Sequence, residues 1–242
     1  MELNKLYNMD CMEGMAEFPD KYFDLAIVDP PYGININHNM GRRRGDKHSG
    51  HKKVKWDNEI PSLQYFTELF RISKNQIIWG GNYFDLPKVG SWLFWDKIMP
   101  FDLSFSMGEL AWMSIGKTIR IVRLRHHGFI NNDAKKIHPT QKPVQLYKWV
   151  LRNYAKSVNC DVCYGTGNRM ATVISKSATC SACKGVGKIK PKIIDTHVGS
   201  GSSIIAFEDF GCEYIGFEID KEYYEAATKR INNHKAQTKL NF

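Results

Sequence analysis

The sequence predicts a doubly wound α/β fold that carries a small cysteine-rich insert. Short apolar runs such as "FDLAIVD" (23–29) and "NQIIWGG" (75–81) have the length and content of strands buried on both faces. Segments with helical spacing, such as "SLQYFTELFRIS" (62–73), lie between them, and strands alternating with helices argue a sheet covered on both sides. The alternation breaks over 157–190, where four of the six cysteines fall.

Taken in order, residues 1–31 read as strand, short helix and strand. A basic stretch comes next, then the 62–73 helix and the 75–81 strand. "GSWLFWDK" (90–97) and "GELAWMS" (108–114) read as strands, and the alternating "TIRIVRLR" (118–125) as a half-exposed one. "KPVQLYKWVLRNYAK" (142–156) is a helix with Pro143 in its first turn, where a missing N–H costs nothing. After the insert, 192–220 reads strand, glycine loop, helix, strand, and "KEYYEAATKRINNHK" closes the chain as a helix. The expected organisation is one α/β domain, 1–156 with 191–242, interrupted by the 157–190 insert.

A chain of 242 residues with 43% hydrophobic and 24% charged content has the composition of a globular protein with a substantial core. No apolar run reaches the roughly 18 residues of a membrane span. The start lacks the basic-then-apolar order of a secretory signal, so the expected compartment is the cytoplasm, with no membrane partner. A net charge of +9 favours an acidic partner such as nucleic acid. The charge is concentrated in 38–55, where Arg42, Arg43, Arg44, Lys47, Lys52, Lys53 and Lys55 face one acid, Asp46. That composition, rich in Gly and His, reads as a basic loop. Cys11 and Cys212 stand outside any pattern and read as small core residues.

Two strand ends carry candidate chemistry. In "DTHVGSGSSIIA" the strand stops at Asp195, and Gly199, Ser200 and Gly201 let the backbone approach a ligand closely. The next strand ends at Glu218, about twenty residues on, the layout that holds an adenosine with an acid on its ribose. The third glycine of the dinucleotide fingerprint is missing, which favours a nucleoside without phosphates, such as S-adenosylmethionine (SAM). The other end is "DPPY" (29–32). Pro30 and Pro31 donate no backbone hydrogen bond and stiffen the chain just beyond the strand. An exocyclic amine is a poor nucleophile because its lone pair is delocalised into the ring. The Asp29 carboxylate and the Pro30 carbonyl can accept both amine hydrogens and localise that lone pair, while Tyr32 offers a stacking face. A base inside a duplex must be flipped out to reach them.

These residues resemble the amino-methyltransferases of nucleic acids. "DPPY" with Gly after it is similar to their catalytic motif, in the aspartate form typical of adenine-N6 enzymes, as against the serine form of cytosine-N4 enzymes. "HPTQKP" (138–143) and "QIIWGGNYF" strengthen the match, as does the order, with the catalytic motif first and the SAM loop last. That permuted order resembles the β group of bacterial and phage DNA methyltransferases, including those of restriction–modification systems. The resemblance implies a Rossmann-like SAM-dependent fold, DNA as substrate, a bacterial cytoplasm and a homodimer as an open assembly. It implies that Asp10 and Cys11 approach the SAM adenine, and that Thr140 and Lys142 lie near its methionine part. Asp195, Gly199, Ser200 and Gly201 would form its loop, and Glu218 would bind the ribose. The sequence departs from the family's common DPF at "DTH", with His197 in place of phenylalanine.

"CDVCYGTG" (160–167) and "CSACKGVG" (180–187) place Cys160, Cys163, Cys180 and Cys183 in a C-x2-C-x16-C-x2-C pattern. That spacing is a tetrahedral zinc signal, and four thiolates make a closed, structural site. A redox pair is the competing reading. The repeat resembles half of the cysteine-rich domain of J-protein chaperones, without the His-Pro-Asp signature of a J domain, so no chaperone activity is carried over. Contact with nucleic acid or a role in dimerisation is open for this knuckle. The expected function is SAM-dependent methylation of adenine N6 in DNA. The alternatives are methylation of RNA adenine or of cytosine N4, a non-catalytic zinc protein that binds nucleic acid, and a dinucleotide oxidoreductase. Segments 38–60 and 98–135 are the candidates for DNA contact.

Overall fold

The computed structural model describes residues 1–34, 59–99, 106–125, 137–138, 140–160, 162–169 and 178–237. Its elements in chain order are β1 (Lys5–Tyr7), α1 (Cys11–Ala16), β2 (Leu25–Val28), α2 (Leu63–Ile72), β3 (Gln76–Trp79), β4 (Trp92–Asp96), β5 (Gly108–Met113) and β6 (Ile119–Arg123). Then come α3 (Val144–Tyr154), β7 (Val158–Asn159), β8 (Asn168–Arg169), β9 (Ala178–Thr179), β10 (Lys188–Ile189), β11 (Lys192–Asp195), α4 (Ser202–Phe210), β12 (Glu213–Phe217) and α5 (Lys221–Gln237). Pro143 is the N-cap of α3 and lies just outside the helix, one position earlier than its sequence spacing implies.

Among the described residues one sheet of eight strands runs β1-β12-β11-β2-β3-β5-β4-β6. The first five are parallel to their neighbours, β5 is antiparallel to both β3 and β4, and β6 runs parallel to β4 along the edge. Strands β2 and β3 are buried at every position, which explains their unbroken apolar content. Alternate residues feed two cores. Leu25, Ile27, Ile77 and Ile193 pack with Leu146, Val150 and Leu151 of α3 and Ile204 and Phe207 of α4. Ala26, Val28, Ile78 and Ile194 pack on the other face with Met15 of α1 and Tyr65, Phe66, Leu69 and Ile72 of α2. Helices therefore cover both faces, as the sequence predicts. The α2 stripe is set by its spacing, and its start is fixed by Ser62, whose Oγ accepts the Tyr65 N–H at 3.3 Å. Truncating fully buried Leu69 to Ala would cost about 2–5 kcal/mol.

The strand order locates the crevice. From β11 the chain crosses through α4 to β12 on one side, and from β2 through α2 to β3 on the other. The boundary between β11 and β2 is thus a topological switch point, where the loops at the strands' carboxyl ends part and leave room for a ligand. The DPPY segment leaves β2 and the glycine loop leaves β11 at that point. The cysteine-rich insert enters between α3 and β11, so it meets the opposite, amino edge of the sheet. A cleft at that junction is lined by Tyr22, Asp24 and Lys74 beside β2 and β3, Val158 of the insert, and Lys192.

Candidate active site

Asp29 comes directly after the last residue of β2, and Pro30 and Pro31 withdraw the next backbone positions from the sheet's hydrogen-bond ladder. Both carboxylate oxygens are engaged. Oδ1 accepts the Tyr32 hydroxyl at 2.6 Å and Oδ2 accepts Lys142 Nζ at 2.6 Å. The Lys142 side chain is 3% exposed. Its ammonium also lies 2.9 Å from Oε2 of Glu109 and 3.1 Å from the Tyr32 hydroxyl, and it sits over the Tyr32 and Trp79 rings. Lys97 Nζ reaches the other oxygen of Glu109, Oε1, at 2.6 Å. Two carboxylates and two ammoniums therefore form one largely buried chain centred on Lys142. That balance of charge makes their burial tolerable, because an isolated ion there would cost several kcal/mol.

The charges shape one another. Burial pushes the Asp29 carboxyl above its ordinary range; Lys142 opposes this and Glu109 adds to it, with burial prevailing. Burial also works to raise Glu109, but Lys142 and Lys97 hold it at about 2. Burial works against charge on Lys142, and the two carboxylates outweigh it, so its pKa is raised. The Tyr32 ring stacks on Tyr83, with centroids 5.1 Å apart and planes 15° from parallel. Gly80 closes this site from below: its φ is +69°, and a Cβ there would lie 2.1 Å from Tyr32 Cε1.

The neighbouring strand end is built from backbone bonds. Gly199 (φ +55°) donates its N–H to Glu218 Oε2 at 2.7 Å, and Glu218 Oε1 accepts the Asp220 N–H at 2.9 Å. Burial raises the Glu218 pKa. Asn8 donates to the Glu218 carbonyl at 2.8 Å and ties β1 to the end of β12. Asp10 caps α1 through the Met12 N–H, and half-buried Cys11 is next in the chain. Buried Asp195, pushed up to about 7 by desolvation, accepts the His197 N–H at 3.0 Å and fixes the loop's first turn. Thr196 Oγ1 bonds Tyr65 at 2.7 Å and His197 Nδ1 at 2.9 Å. Burial lowers His197 to about 4, so near neutral pH the imidazole is uncharged. Arg230 Nη1 donates to the Ser200 carbonyl at 2.9 Å from beneath the loop.

The structure thus brings Asp10, Cys11, Asp29 to Tyr32, Asp195, Gly199 to Gly201 and Glu218 to the carboxyl ends of four adjacent strands, β1, β12, β11 and β2. The HPTQKP segment spans the two halves. Its His138 ring lies beside Gly199 and takes the Thr140 hydroxyl at 3.0 Å, while Lys142 lies on Asp29. The resemblance implied a place near the cofactor's methionine part for Thr140 and Lys142; the geometry gives Lys142 three partners in the carboxylate chain. Sequence reading missed Glu109, Lys97, Tyr83 and Gly80. An acid inside the otherwise apolar "GELAWMS" was the available signal for Glu109. Arg42, Arg43, Arg44, Lys47, Lys52 and Lys53 lie outside the described residues. Of 98–135, positions 98–99 and 106–125 are described, and β6 exposes Ile119, Arg120 and Ile121 along the sheet edge.

At the amino edge the four cysteines converge. All are buried, and their sulfurs lie within 4.8 Å of one another. Sγ separations of 3.9 Å for Cys160–Cys180 and 3.6 Å for Cys163–Cys183 bracket the ~3.8 Å edge of a tetrahedron with 2.3 Å Zn–S bonds. The Gly167 and Gly187 N–H groups donate to Cys163 and Cys183 sulfur at 3.3 and 3.2 Å. These glycines are required: a Cβ on either would fall 2.2 Å from the carbonyl oxygen of Gly185 or Gly165.

Fold and site together define an open α/β protein whose candidate site lies at the switch point of its sheet. Residues 78–229 match the DNA methylase family that acts on N6 and N4 amino groups. The chain belongs to that family and is a SAM-dependent DNA methyltransferase. It is 23% identical over 262 residues to the type II methyltransferase M.HinfI of Haemophilus influenzae, covering 96% of this chain and 69% of the relative. It is 20% identical over 271 residues to M1.MboII of Moraxella bovis, covering 96% and 98%. Its fold is similar to that of M1.HpyAVI in complex with SAM (TM-score 0.51, 15% identity, 93% and 98% covered). It is also similar to the PvuII cytosine-N4 DNA methyltransferase (TM-score 0.51, 12% identity, 96% and 91% covered). Among the described residues no helix is long and apolar enough to cross a membrane.

Proposed function

We propose that this methyltransferase modifies the N6 amino group of adenine in DNA, with the base flipped out of the duplex against Asp29. The observation that carries the reading is an acid, not a serine, at the end of β2, held at the switch point beside the glycine loop. The Asp29 carboxylate and the Pro30 carbonyl take the two amine hydrogens and turn the nitrogen lone pair outward. Pro30 and Pro31 hold that carbonyl in place, and Tyr32 presents its ring to the base. The motif order, DPPY before the glycine loop, supports placement in the permuted β group.

The donor set suits SAM. Glu218 supplies an acceptor for a ribose diol, with Asp10 and Cys11 beside it toward an adenine. Asp29, at the end of β2, gives the crevice a carboxylate that favours a cationic sulfonium. When bound, SAM supplies the methyl group on that sulfonium. Gly199, Ser200 and Gly201 form the backbone rim that positions it, and Thr140 joins them through His138. Arg42, Arg43, Arg44, Lys47, Lys52 and Lys53 are assigned to phosphate contacts, which give affinity without reading sequence. Residues 1–156 and 191–242 form the catalytic domain, and 157–190 an insert closed by one structural zinc on Cys160, Cys163, Cys180 and Cys183.

The test is methyl transfer from labelled SAM to unmethylated duplex DNA and to RNA, with product nucleosides resolved by mass spectrometry. N6-methyladenine from DNA is expected; N4-methylcytosine, or product in RNA alone, overturns the assignment. Asp29→Ala is expected to bind SAM as the wild type does and to lose transfer. Undiminished turnover in that variant would remove Asp29 from its role.

A further inference from the structure

We propose that Glu109, anchored by Lys97, is a positioning residue for methyl transfer: it shares the Lys142 ammonium with Asp29 and offers the Tyr32 hydroxyl a second acceptor, leaving Asp29 able to accept one hydrogen of the target amine beside the Pro30 carbonyl. The inference rests on the role given to Asp29 above.

In the structure Asp29 is fully engaged, by the Tyr32 hydroxyl on one oxygen and by Lys142 on the other, both at 2.6 Å. A carboxylate tied to one ammonium and one hydroxyl is a weakened acceptor. Glu109 relieves both ties. Its Oε2 draws the same ammonium from 2.9 Å, so the cation is divided between two anions. The same oxygen lies 3.4 Å from the Tyr32 hydroxyl. That is just beyond a good O–H···O bond, so a small rotation moves the hydroxyl from Asp29 to Glu109. Oδ1 of Asp29 is then exchanged from the hydroxyl to the amine. Lys97, 2.6 Å from Oε1, keeps Glu109 charged and its fork oriented. The Tyr32 hydroxyl is thus a placeholder for the substrate, and Glu109 is where it goes.

The groups facing Asp29 come from every neighbouring element. They are Tyr32 on its own segment, Lys142 before α3, Tyr147 on α3, Glu109 on β5, Lys97 after β4, Tyr65 on α2 and Asp195 at the end of β11. Burial holds Tyr32, Tyr65 and Tyr147 far above their ordinary values, so they stay neutral between pH 5 and 9. Desolvation pushes Asp195 up to about 7, with the Asp29 charge adding to the rise, so the Asp29 resonance is followed by itself through its loss in Asp29→Asn.

Two substitutions push Asp29 in opposite directions. Removing the Glu109 charge gives Lys142 wholly to Asp29 and lowers the pH at which Asp29 ionises. Removing Lys97 strengthens the Glu109 charge felt by Asp29 and raises it. The experiment tracks the Asp29 side-chain carboxyl 13C shift, assigned by its loss in Asp29→Asn, in wild type, Glu109→Gln and Lys97→Met. The rate at saturating SAM and DNA is measured in the same buffers. The Asp29 midpoint is expected to fall by about one unit in Glu109→Gln and to rise in Lys97→Met, with the acid limb of the rate moving likewise. The Glu109→Gln rate should drop about 10- to 100-fold with SAM affinity unchanged. A Glu109 that merely lies beside Asp29 would shift the midpoints by its charge but would leave the rate above the acid limb unchanged. Midpoints within about 0.3 unit of wild type in both variants, or full activity in Glu109→Gln, overturn the proposal. Product on another atom, or none from the wild type, overturns the functional reading, and with it the transfer role of Glu109, even where the midpoints move as expected.

Discussion

Replacing Lys142 with methionine removes the charge at the centre of the buried chain and keeps most of its length. The ammonium contacts Asp29, Glu109 and Tyr32 at 2.6, 2.9 and 3.1 Å. Its side chain is 3% exposed, so water cannot take its place. Removing one partner of a buried pair costs about 3–5 kcal/mol, because the other charge is left behind. Here two carboxylates are left, and among the described residues Lys97, paired with Glu109, is the cation that remains in the chain. One of them responds by holding its proton to higher pH. The Asp29 pKa is already raised in the fold, so its ionisation works against stability as pH rises from the ordinary carboxylate value through the folded one. The variant widens that window. Glu109 is held down in the wild type, and its contribution is present above its ordinary pKa and lost only as pH falls toward about 2. Lys142 itself has a raised pKa, so its contribution is constant below the ordinary lysine value. The expected loss is therefore about 4 kcal/mol at pH 8 and about 2 kcal/mol at pH 5. Urea unfolding monitored by tryptophan fluorescence at the two pH values measures it. A loss under about 1 kcal/mol, or one larger at pH 5 than at pH 8, would refute the reasoning.

Two other predictions test separate parts of the molecule. Gly80→Ala puts a Cβ 2.1 Å from the Tyr32 ring at a φ of +69°, so the ring must move; transfer should fall about 100-fold while calorimetry finds SAM affinity unchanged. Elemental analysis should find one zinc per chain, lost in Cys160→Ser, with SAM affinity kept because the insert lies across the sheet from the glycine loop. A folded, metal-free wild type would contradict the zinc assignment.

Elements whose causes are local were legible in the sequence. Strands β2 and β3 announce themselves by unbroken apolar runs that end in Asp-Pro-Pro and Gly-Gly. Asp29 and the Gly199–Gly201 loop were legible because a strand end, a stiff or permissive backbone and a polar side chain stand within a few residues. Glu109 was not. It sits on β5, and β5 enters the site through its antiparallel insertion beside β3, with Ile78 opposite Trp112 and Trp79 opposite Ala111. Nothing in "GELAWMS" specifies that neighbour, and an acid near the start of a strand reads equally well as facing water. Tyr83 was missed for a related reason. Its place is set by the 3-10 turn Gly81–Tyr83, which folds it back over Tyr32, a residue from a different strand end. The basic stretch 38–55 is legible as composition.

The position of the four-cysteine cluster decides what a metal held there could do. The cysteines join β11 at its amino end, and the glycine loop leaves the same strand at its carboxyl end. The four residues of β11 span about 13 Å at the usual rise per residue. That span keeps the cysteines out of contact with the carboxylates at the other edge. A closed four-thiolate site also leaves no open coordination position for substrate. The insert therefore acts on this enzyme through what its surface touches or through the stability it lends to the start of β11. Among the described residues the charged partners in the chain around Asp29 come from the main sheet and its flanking segments: Lys142, and Glu109 with Lys97 behind it.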